Sequence, residues 1–348
     1  MLIENKIQMP DYICEHCERV FKQKGHLETH KRRKNPCKKN DVIEKLVEKK
    51  IQEALQQIGV IESKKKIEVV KPLLKWVGGK TQILDEVLTR FPKIINNYYE
   101  PFVGGGSILL GLLSHIKSGS ISVQGHIYAS DWNPNLIGLY KNIQSNPHEL
   151  IDAVKKLSDN NEEYYYTIRR QFNEAEDRTA VQTSAMFMYL NKTGFRGIYR
   201  EGPRGFNVPF GHYKNPTILD EKHILSVSEL IQPVVFTHTS FEESLHNVSI
   251  NDFMYLDPPY APENTTSFVK YNSDGFAIEK HKSLFEICKT TKGKFLMSNA
   301  DVSLVKNEFE SDDYTKEMII CRRAIHSKDP SSKTNELLIT NKSNHRAW

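Results

Sequence analysis

An apolar strand that runs straight into a cluster of glycines and then a helix leaves a chain few architectures to adopt. Here Tyr98-Tyr99-Glu100-Pro101-Phe102 reads as a buried strand, Gly104-Gly105-Gly106-Ser107 as the turn and ILLGLLSHI as the helix. Glycines at such a junction let backbone approach a ligand closely and aim the helix N-terminus at it. A second strand, His126–Ser130, ends in Asp131, about 25 residues on, where an acidic side chain can hold a ribose diol. From residue 69 onward apolar strands alternate with helical stretches, so the expected fold is α/β, a Rossmann-like doubly wound sheet. The Gly turn and Asp131 together point to a nucleoside cofactor, a feature that dinucleotide dehydrogenases share. Gly78-Gly79-Lys80-Thr81 imitates the end of a phosphate-binding loop, but Leu74 stands where that motif needs a glycine, so it is no NTPase signature.

The chemistry is set further on. FMYL, residues 253–256, reads as an apolar strand ending in Asp257-Pro258-Pro259-Tyr260. Two prolines after a strand fix a turn that has acceptors and no amide donors, in the crevice where open α/β sheets bind ligands. A carboxylate, a turn of carbonyls and an aromatic face suit a planar base with an exocyclic amine. Together with Lys75-Trp76-Val77-Gly78-Gly79-Lys80, Pro101-Phe102-Val103-Gly104-Gly105-Gly106, Ser130-Asp131-Trp132-Asn133, the stretch YLNKTGFRGIYREGPRGFNVPFGHYKNP and Asn335-Glu336-Leu337-Leu338, this turn resembles the Dam-type, alpha-group DNA adenine-N6 methyltransferases. The resemblance runs in unbroken order over about residues 70–342.

That resemblance implies S-adenosyl-L-methionine as cofactor, with Trp76, Lys80, Phe102, Gly104, Gly106, Asp131 and Asp257 around it. It makes Asp257, Pro258, Pro259 and Tyr260 the catalytic turn, which grips an adenine extruded from the duplex. Residues 150–235 form the expected target-recognition insert between two methyltransferase segments, 69–149 and 236–342. It is mostly helical, with a Gly-rich loop at 191–216 that carries five Lys/Arg against one Glu, interleaved with Phe195, Tyr199, Phe206 and Phe210. Such a loop suits groove insertion and backbone contact. By resemblance Arg200 reads a guanine and Phe195 wedges into the base stack. Arg196, and Glu201-Gly202-Pro203, depart from the pattern of GATC readers, so GATC is the first expectation and another short palindrome the alternative.

The charge distribution marks off a second module. Residues 12–40 hold nine Lys/Arg and three Asp/Glu, a balance of +6, so the remainder of a chain of net charge +5 sums to −1. Of five cysteines, Cys14, Cys17 and Cys37 fall in the same stretch, which reads as metal ligation in an intracellular chain. Cys14-x₂-Cys17, twelve residues and His30 outline a ββα zinc finger over residues 10–40, with Tyr12, Phe21 and Leu27 as its small core. The usual second histidine is missing and Cys37 is taken as the fourth ligand; His26 is the competitor. Lys31, Arg32 and Arg33 are expected to meet phosphates, giving salt-dependent and weakly specific affinity. Residues 41–68 read as a helical linker, with a weak coiled-coil dimer as the alternative to a monomer.

With 18 Gly and 15 Pro in 348 residues the chain is not of low complexity, and no apolar run is long enough to span a bilayer. A soluble, intracellular chain is therefore expected, and the resemblance makes it an enzyme acting on double-stranded DNA, nuclear or at a site of viral replication in a eukaryotic host. Two competitors are methylation of cytosine N4 or RNA, and a DNA-binding protein whose methyltransferase body is inactive. The sequence leaves a restriction partner undecided.

Overall fold

The structure, a computed structural model, describes residues 12–14, 19–32, 50, 67–157, 159–261, 276–322 and 333–342. Residues 1–66 and 67–348 form separate compact units and are treated one at a time. In the first, β1 (Tyr12–Ile13) pairs antiparallel with β2 (Val20–Phe21), followed by a helix over Lys24–Lys31. Nearly all of the expected linker lies outside the described residues.

The second unit is built on a seven-stranded sheet. In chain order the strands are β3 (Ile94–Ile95), β4 (Tyr98–Glu100), β5 (Ser122–Val123), β6 (Ile127–Asp131), β7 (Glu201–Gly202), β8 (Gly205–Phe206), β9 (Val234–His238), β10 (Phe253–Leu256), β11 (Lys294–Ala300), β12 (Tyr314–Arg322) and β13 (Lys333–Asn341). The large sheet runs β12-β13-β11-β10-β4-β6-β9, while β3–β5 and β7–β8 are short separate ladders. β11, β10, β4, β6 and β9 are parallel, and β13 enters antiparallel between β11 and β12. The chain winds from β4 outward to β9 and then returns to β10 on the other side of β4. The crevice beyond the carboxyl ends of β4 and β10 is therefore the switch point, the place where open α/β sheets bind ligands.

Strand residues alternate between two cores, which makes the sheet the middle of three layers. Tyr98, Ile127, Ala129, Phe253, Tyr255 and Leu296 face one core. Tyr99, Met254, Leu256, Phe295 and Met297 face the other, with Leu284 and Phe285 of the helix Ile278–Thr290. Apolar side chains on both faces are what a covered parallel sheet demands, and they explain why FMYL shows no polar alternation. The α/β expectation holds. The strand read over residues 98–102 stops at Glu100, because Pro101 has no amide to donate to a ladder. β6 lies one residue later than read and includes Asp131 itself.

The helices after β6 do not make a lobe of their own. Leu150, Ile168, Phe172 and Phe187 share one core with Leu109, Leu112 and Ile137. The loop that follows the helix Val181–Thr193 is thereby anchored to the sheet layer. Among the described residues, no helix is long and apolar enough to cross a membrane.

Candidate active site at the carboxyl ends of β4 and β10

The glycine turn is shaped by two positions that only glycine can fill. Gly104 has φ +48° and Gly106, which caps the helix Ser107–Lys117, has φ +74°. A Cβ on Gly104 would stand 2.8 Å from Trp76 Cδ1, and one on Gly106 would stand 2.5 Å from the Tyr140 hydroxyl oxygen. Trp76 and Tyr140 thus close the turn from two sides, and Tyr140 Oη donates to Gly104 O at 3.0 Å. Asp131, at the tip of β6, accepts from Gly104 N at 3.0 Å and from Asn133 N at 2.9 Å. Burial raises its carboxyl above the usual range, and those backbone donors offset part of the rise. Phe102 packs against Phe241 and Phe276 at 5.5 and 5.7 Å between ring centroids.

Lys80 joins this cradle to the Asp257–Tyr260 turn. It opens a short 3₁₀ turn, and its backbone N donates to Ser107 Oγ at 3.0 Å. Its ammonium is buried, donates to Gly78 O at 2.8 Å and pairs with Asp257 Oδ2 at 2.7 Å. The same ammonium lies 5.0 Å from the centre of the Tyr260 ring. Asp257 follows β10 directly, and its carboxyl is pushed up to about 6. Burial is the main cause, Lys80 opposes it and Glu336 adds to it. The turn is held from behind by Asn299, whose Oδ1 accepts from Ala261 N at 3.1 Å.

Two carboxylates that the sequence reading gave no role complete the site. Glu100, the last residue of β4, is fully buried and accepts from Tyr98 Oη at 2.6 Å. Its carboxyl is pushed up to about 8, first by burial, with Asp257 and Asp131 adding to the rise and the Tyr98 hydrogen bond opposing it. Glu336 on β13 is buried beside Tyr260 and raises both that phenol and Asp257. The available signal was an acidic residue inside an otherwise apolar strand, YYE and NELLIT. Asp257, paired with the Lys80 ammonium, thus feels the charge of Glu336, and Glu100 feels those of Asp257 and Asp131. Such a pocket fits a ligand that brings positive charge.

On the loop at 191–216, Phe195 is 44% exposed and the Arg196 guanidinium sits 5.2 Å from its ring centre. Arg196 has φ +57°, in the left-handed region. Arg200 is exposed, with Nε donating to Asn207 Oδ1 at 2.6 Å. The other loop aromatics are not free for groove insertion as expected: Phe206 and Phe210 are buried in the core, and Tyr199 stacks on Trp76 at 5.5 Å. Their apolar rings gain more from burial than a solvent-facing loop would give them. In the first unit, Cys14 and His30 are buried with Leu27, and Phe21 lies 5.0 Å from the His30 ring. Lys31 and Arg32 end the helix, while Cys17, Arg33 and Cys37 lie outside the described residues. Among the described residues, no group of three or more His, Cys, Asp or Glu is placed to hold a metal ion.

Comparison with known proteins agrees with this geometry. The profile of the D12 class N6 adenine-specific DNA methyltransferases matches residues 76–325. The chain is 35% identical over 294 residues to the type II methyltransferase M.MjaIII of Methanocaldococcus jannaschii, covering 78% of this chain and 99% of that protein. It is 32% identical over 285 residues to the retron Ec67 DNA adenine methylase of Escherichia coli, covering 79% and 92%. It is 30% identical over 278 residues to the DNA adenine methylase of Haemophilus influenzae, covering 77% and 92%. With the winding of its sheet, the glycine cradle below Trp76 and the acidic turn after β10, the chain belongs to the D12 class of N6 adenine-specific DNA methyltransferases.

Proposed function

We propose that this methyltransferase modifies adenine within a short palindromic duplex site, with Asp257–Tyr260 as the catalytic turn and the loop at residues 191–216 as the reader of the sequence. The single observation that carries this reading is Asp257 itself. It stands at the tip of β10, paired with Lys80, whose ammonium also lies over the Tyr260 ring. S-adenosyl-L-methionine, when bound, supplies an electrophilic methyl group on a cationic sulfur. The cradle of Trp76, Gly104, Gly106 and Asp131, in its acidic surround, suits the cofactor's ribose and its positive charges.

The adenine amine is a poor nucleophile because its lone pair is delocalised into the ring. Extruding the nucleotide costs a few kcal/mol and exposes the amine, and an aromatic face compensates part of that cost by stacking. Tyr260 supplies the face. The Asp257 carboxylate and the Pro258 carbonyl accept the two amine hydrogens, which turns the lone pair toward the incoming carbon. As positive charge develops on nitrogen, the carboxylate stabilises it in a site already arranged to do so. The nitrogen then sheds its surplus proton, and an Asp257 carboxyl pushed up to about 6 is basic enough to take it. Lys80 holds Asp257 ionised until then.

Arg200 is assigned to a guanine, Phe195 to the gap in the stack, and Arg196 to the same loop. GATC is the first site to test, with another short palindrome as the alternative. The N-terminal unit is assigned as a zinc finger with Cys14, Cys17, His30 and Cys37 as ligands, and Lys31, Arg32 and Arg33 as phosphate contacts. The ββα order, with Cys14 on the hairpin and His30 on the helix both buried, supports that assignment. The finger is assigned to structure and affinity, not to methyl transfer. Sequencing of modified bases in DNA from cells that express the chain tests the whole reading. N6-methyladenine at one recurrent site is expected; methylcytosine, or methylation lost to no degree in Asp257→Ala, overturns it.

A further inference from the structure

We infer that Tyr199 is a positioning residue that couples reading of the DNA site to the grip on the cofactor, an inference that rests on the function proposed above. Tyr199 precedes Arg200 in the chain and opens the β7–β8 hairpin, yet its side chain belongs to the cofactor cradle. Its ring stacks on Trp76, with centroids 5.5 Å apart and planes at 27°. Trp76 in turn lies against Gly104 and Gly105, close enough that a Cβ on either would stand 2.8 Å from it. The Tyr199 hydroxyl accepts from Asn135 Nδ2 at 2.9 Å and donates to Glu201 Oε1. Asn135 is buried in the helix that Asn133 caps, and Asn133 N donates to Asp131. One side chain therefore touches both walls of the cradle: Trp76 with the glycine turn, and the segment that carries Asp131.

The adjoining backbone has a reason to move when DNA binds. The Nε edge of Arg200 is held by the Asn207 side chain, and its Nη2 reaches Asn207 O at 3.4 Å. A guanidinium that takes a guanine edge in bidentate fashion must turn two of its donors outward. Engaging a base through the Nε edge therefore releases the Asn207 side chain, and the pull on Arg200 falls on its backbone, which the Asn207 N to Arg200 O bond at 3.0 Å still ties to residue 207. Tyr199, one residue away, transmits that pull to Trp76 through its ring and to Asn135 through its hydroxyl. By linkage the effect is reciprocal: a filled cradle favours the reading arrangement of Arg200 by the same factor. A loop that gripped DNA independently of the cradle would have its aromatic residue facing solvent or the groove, as Phe195 does.

The test uses the full chain and S-adenosylhomocysteine, which binds without reacting. Its dissociation constant is measured by calorimetry alone, with a duplex carrying the mapped methylation site, and with a duplex of scrambled sequence. The wild-type protein is expected to bind it more tightly with the site duplex than with the scrambled one. Tyr199→Phe keeps the stack and loses the hydroxyl. It is expected to cut the ratio of site to scrambled affinity about fivefold, the worth of one such hydrogen bond, whatever its effect on the DNA-free affinity. Tyr199→Leu is expected to bring the ratio to about one, with thermal melting as the check that it folds. Wild-type ratios in both variants, or a wild-type protein whose ratio is already one, overturn the inference. A chain that neither binds S-adenosylhomocysteine nor methylates DNA fails the proposed function instead. A chain that does both, and couples them without Tyr199, fails only the coupling.

Discussion

Replacing Glu100 by Gln is expected to stabilise the protein, increasingly so as the pH rises. Glu100 is 2% exposed, and its carboxyl goes from an ordinary 4.5 to about 8 in the fold. The folded state therefore keeps a proton that the unfolded chain sheds, and stability falls as pH rises from about 4.5 through about 8. Below 4.5 both states are protonated and this group has no effect. Each pH unit in that window costs about 1.4 kcal/mol, so the full loss is about 5 kcal/mol by pH 8 and about 3 kcal/mol at pH 7. Glutamine has the same shape, does not ionise and can still accept from the Tyr98 hydroxyl, which now donates at 2.6 Å. Melting temperatures of the two proteins should nearly coincide at pH 5. They should separate by roughly 10 °C at pH 8, since about 1 kcal/mol moves the midpoint by about 2 °C in a chain this long. Thermal denaturation followed by circular dichroism at half-unit steps of pH gives both curves. Parallel curves would refute the reasoning, because they would mean that Glu100 ionises as freely in the fold as in the unfolded chain.

Asp257→Ala is expected to lower methyl transfer by at least about 10²–10³-fold, the usual loss when a group acting on developing charge is removed. It should also cost about 3–5 kcal/mol of stability, because Lys80, 3% exposed, is left without its partner. Adding Lys80→Met should recover the melting temperature and not the activity. Because Asp257 must be ionised to accept the amine hydrogens, labelled-methyl incorporation should rise with pH through about 6. Gly106→Ala should cost more than Gly119→Ala. Both have φ near +75°, but a Cβ at 106 stands 2.5 Å from the Tyr140 hydroxyl oxygen and one at 119 meets nothing within 4 Å. Equal melting temperatures for the two variants would remove the argument that Tyr140 closes the turn. Deleting residues 1–66 should leave methylation intact, weaken DNA binding and flatten the dependence of affinity on salt. Equal binding at every salt concentration would assign the N-terminal unit to a protein partner.

The parts of the site that were legible in the sequence are those in which the chemistry is local in the chain. The glycine turn lies between a strand and a helix that are its immediate neighbours, and Asp257 follows the strand that carries it. Both could be read because a strand end fixes where the next residue points. Phe195 was singled out by the resemblance alone; in the fold it follows the helix Val181–Thr193 and is exposed. Tyr199, Phe206 and Phe210 looked equivalent to it, since an aromatic beside a lysine or arginine carries the same pattern whether it faces DNA or a core. Only the tertiary fold separates the exposed ring from the packed ones. The Lys80–Asp257 pair could not be read because its members lie far apart in the chain and meet only at the switch point between β4 and β10. In isolation, Lys80 suggested a partner on the cofactor; in the fold it already has one in Asp257.

That pairing changes how the acidic pocket is to be understood. One ammonium cannot balance Glu100, Asp131, Asp257 and Glu336, and the protein answers in two ways. It lets Glu100 hold a proton at neutral pH, and it pairs Lys80 with Asp257, the carboxylate that the proposed mechanism uses ionised. A cationic ligand entering the cradle adds charge of the sign the pocket lacks, so binding relieves a repulsion already present in the empty site. Binding should therefore tighten as pH rises through about 8, where Glu100 gives up its proton without a ligand's help. Glu100→Gln, which cannot make that change, should bind the cofactor with an affinity that stays flat over the same range.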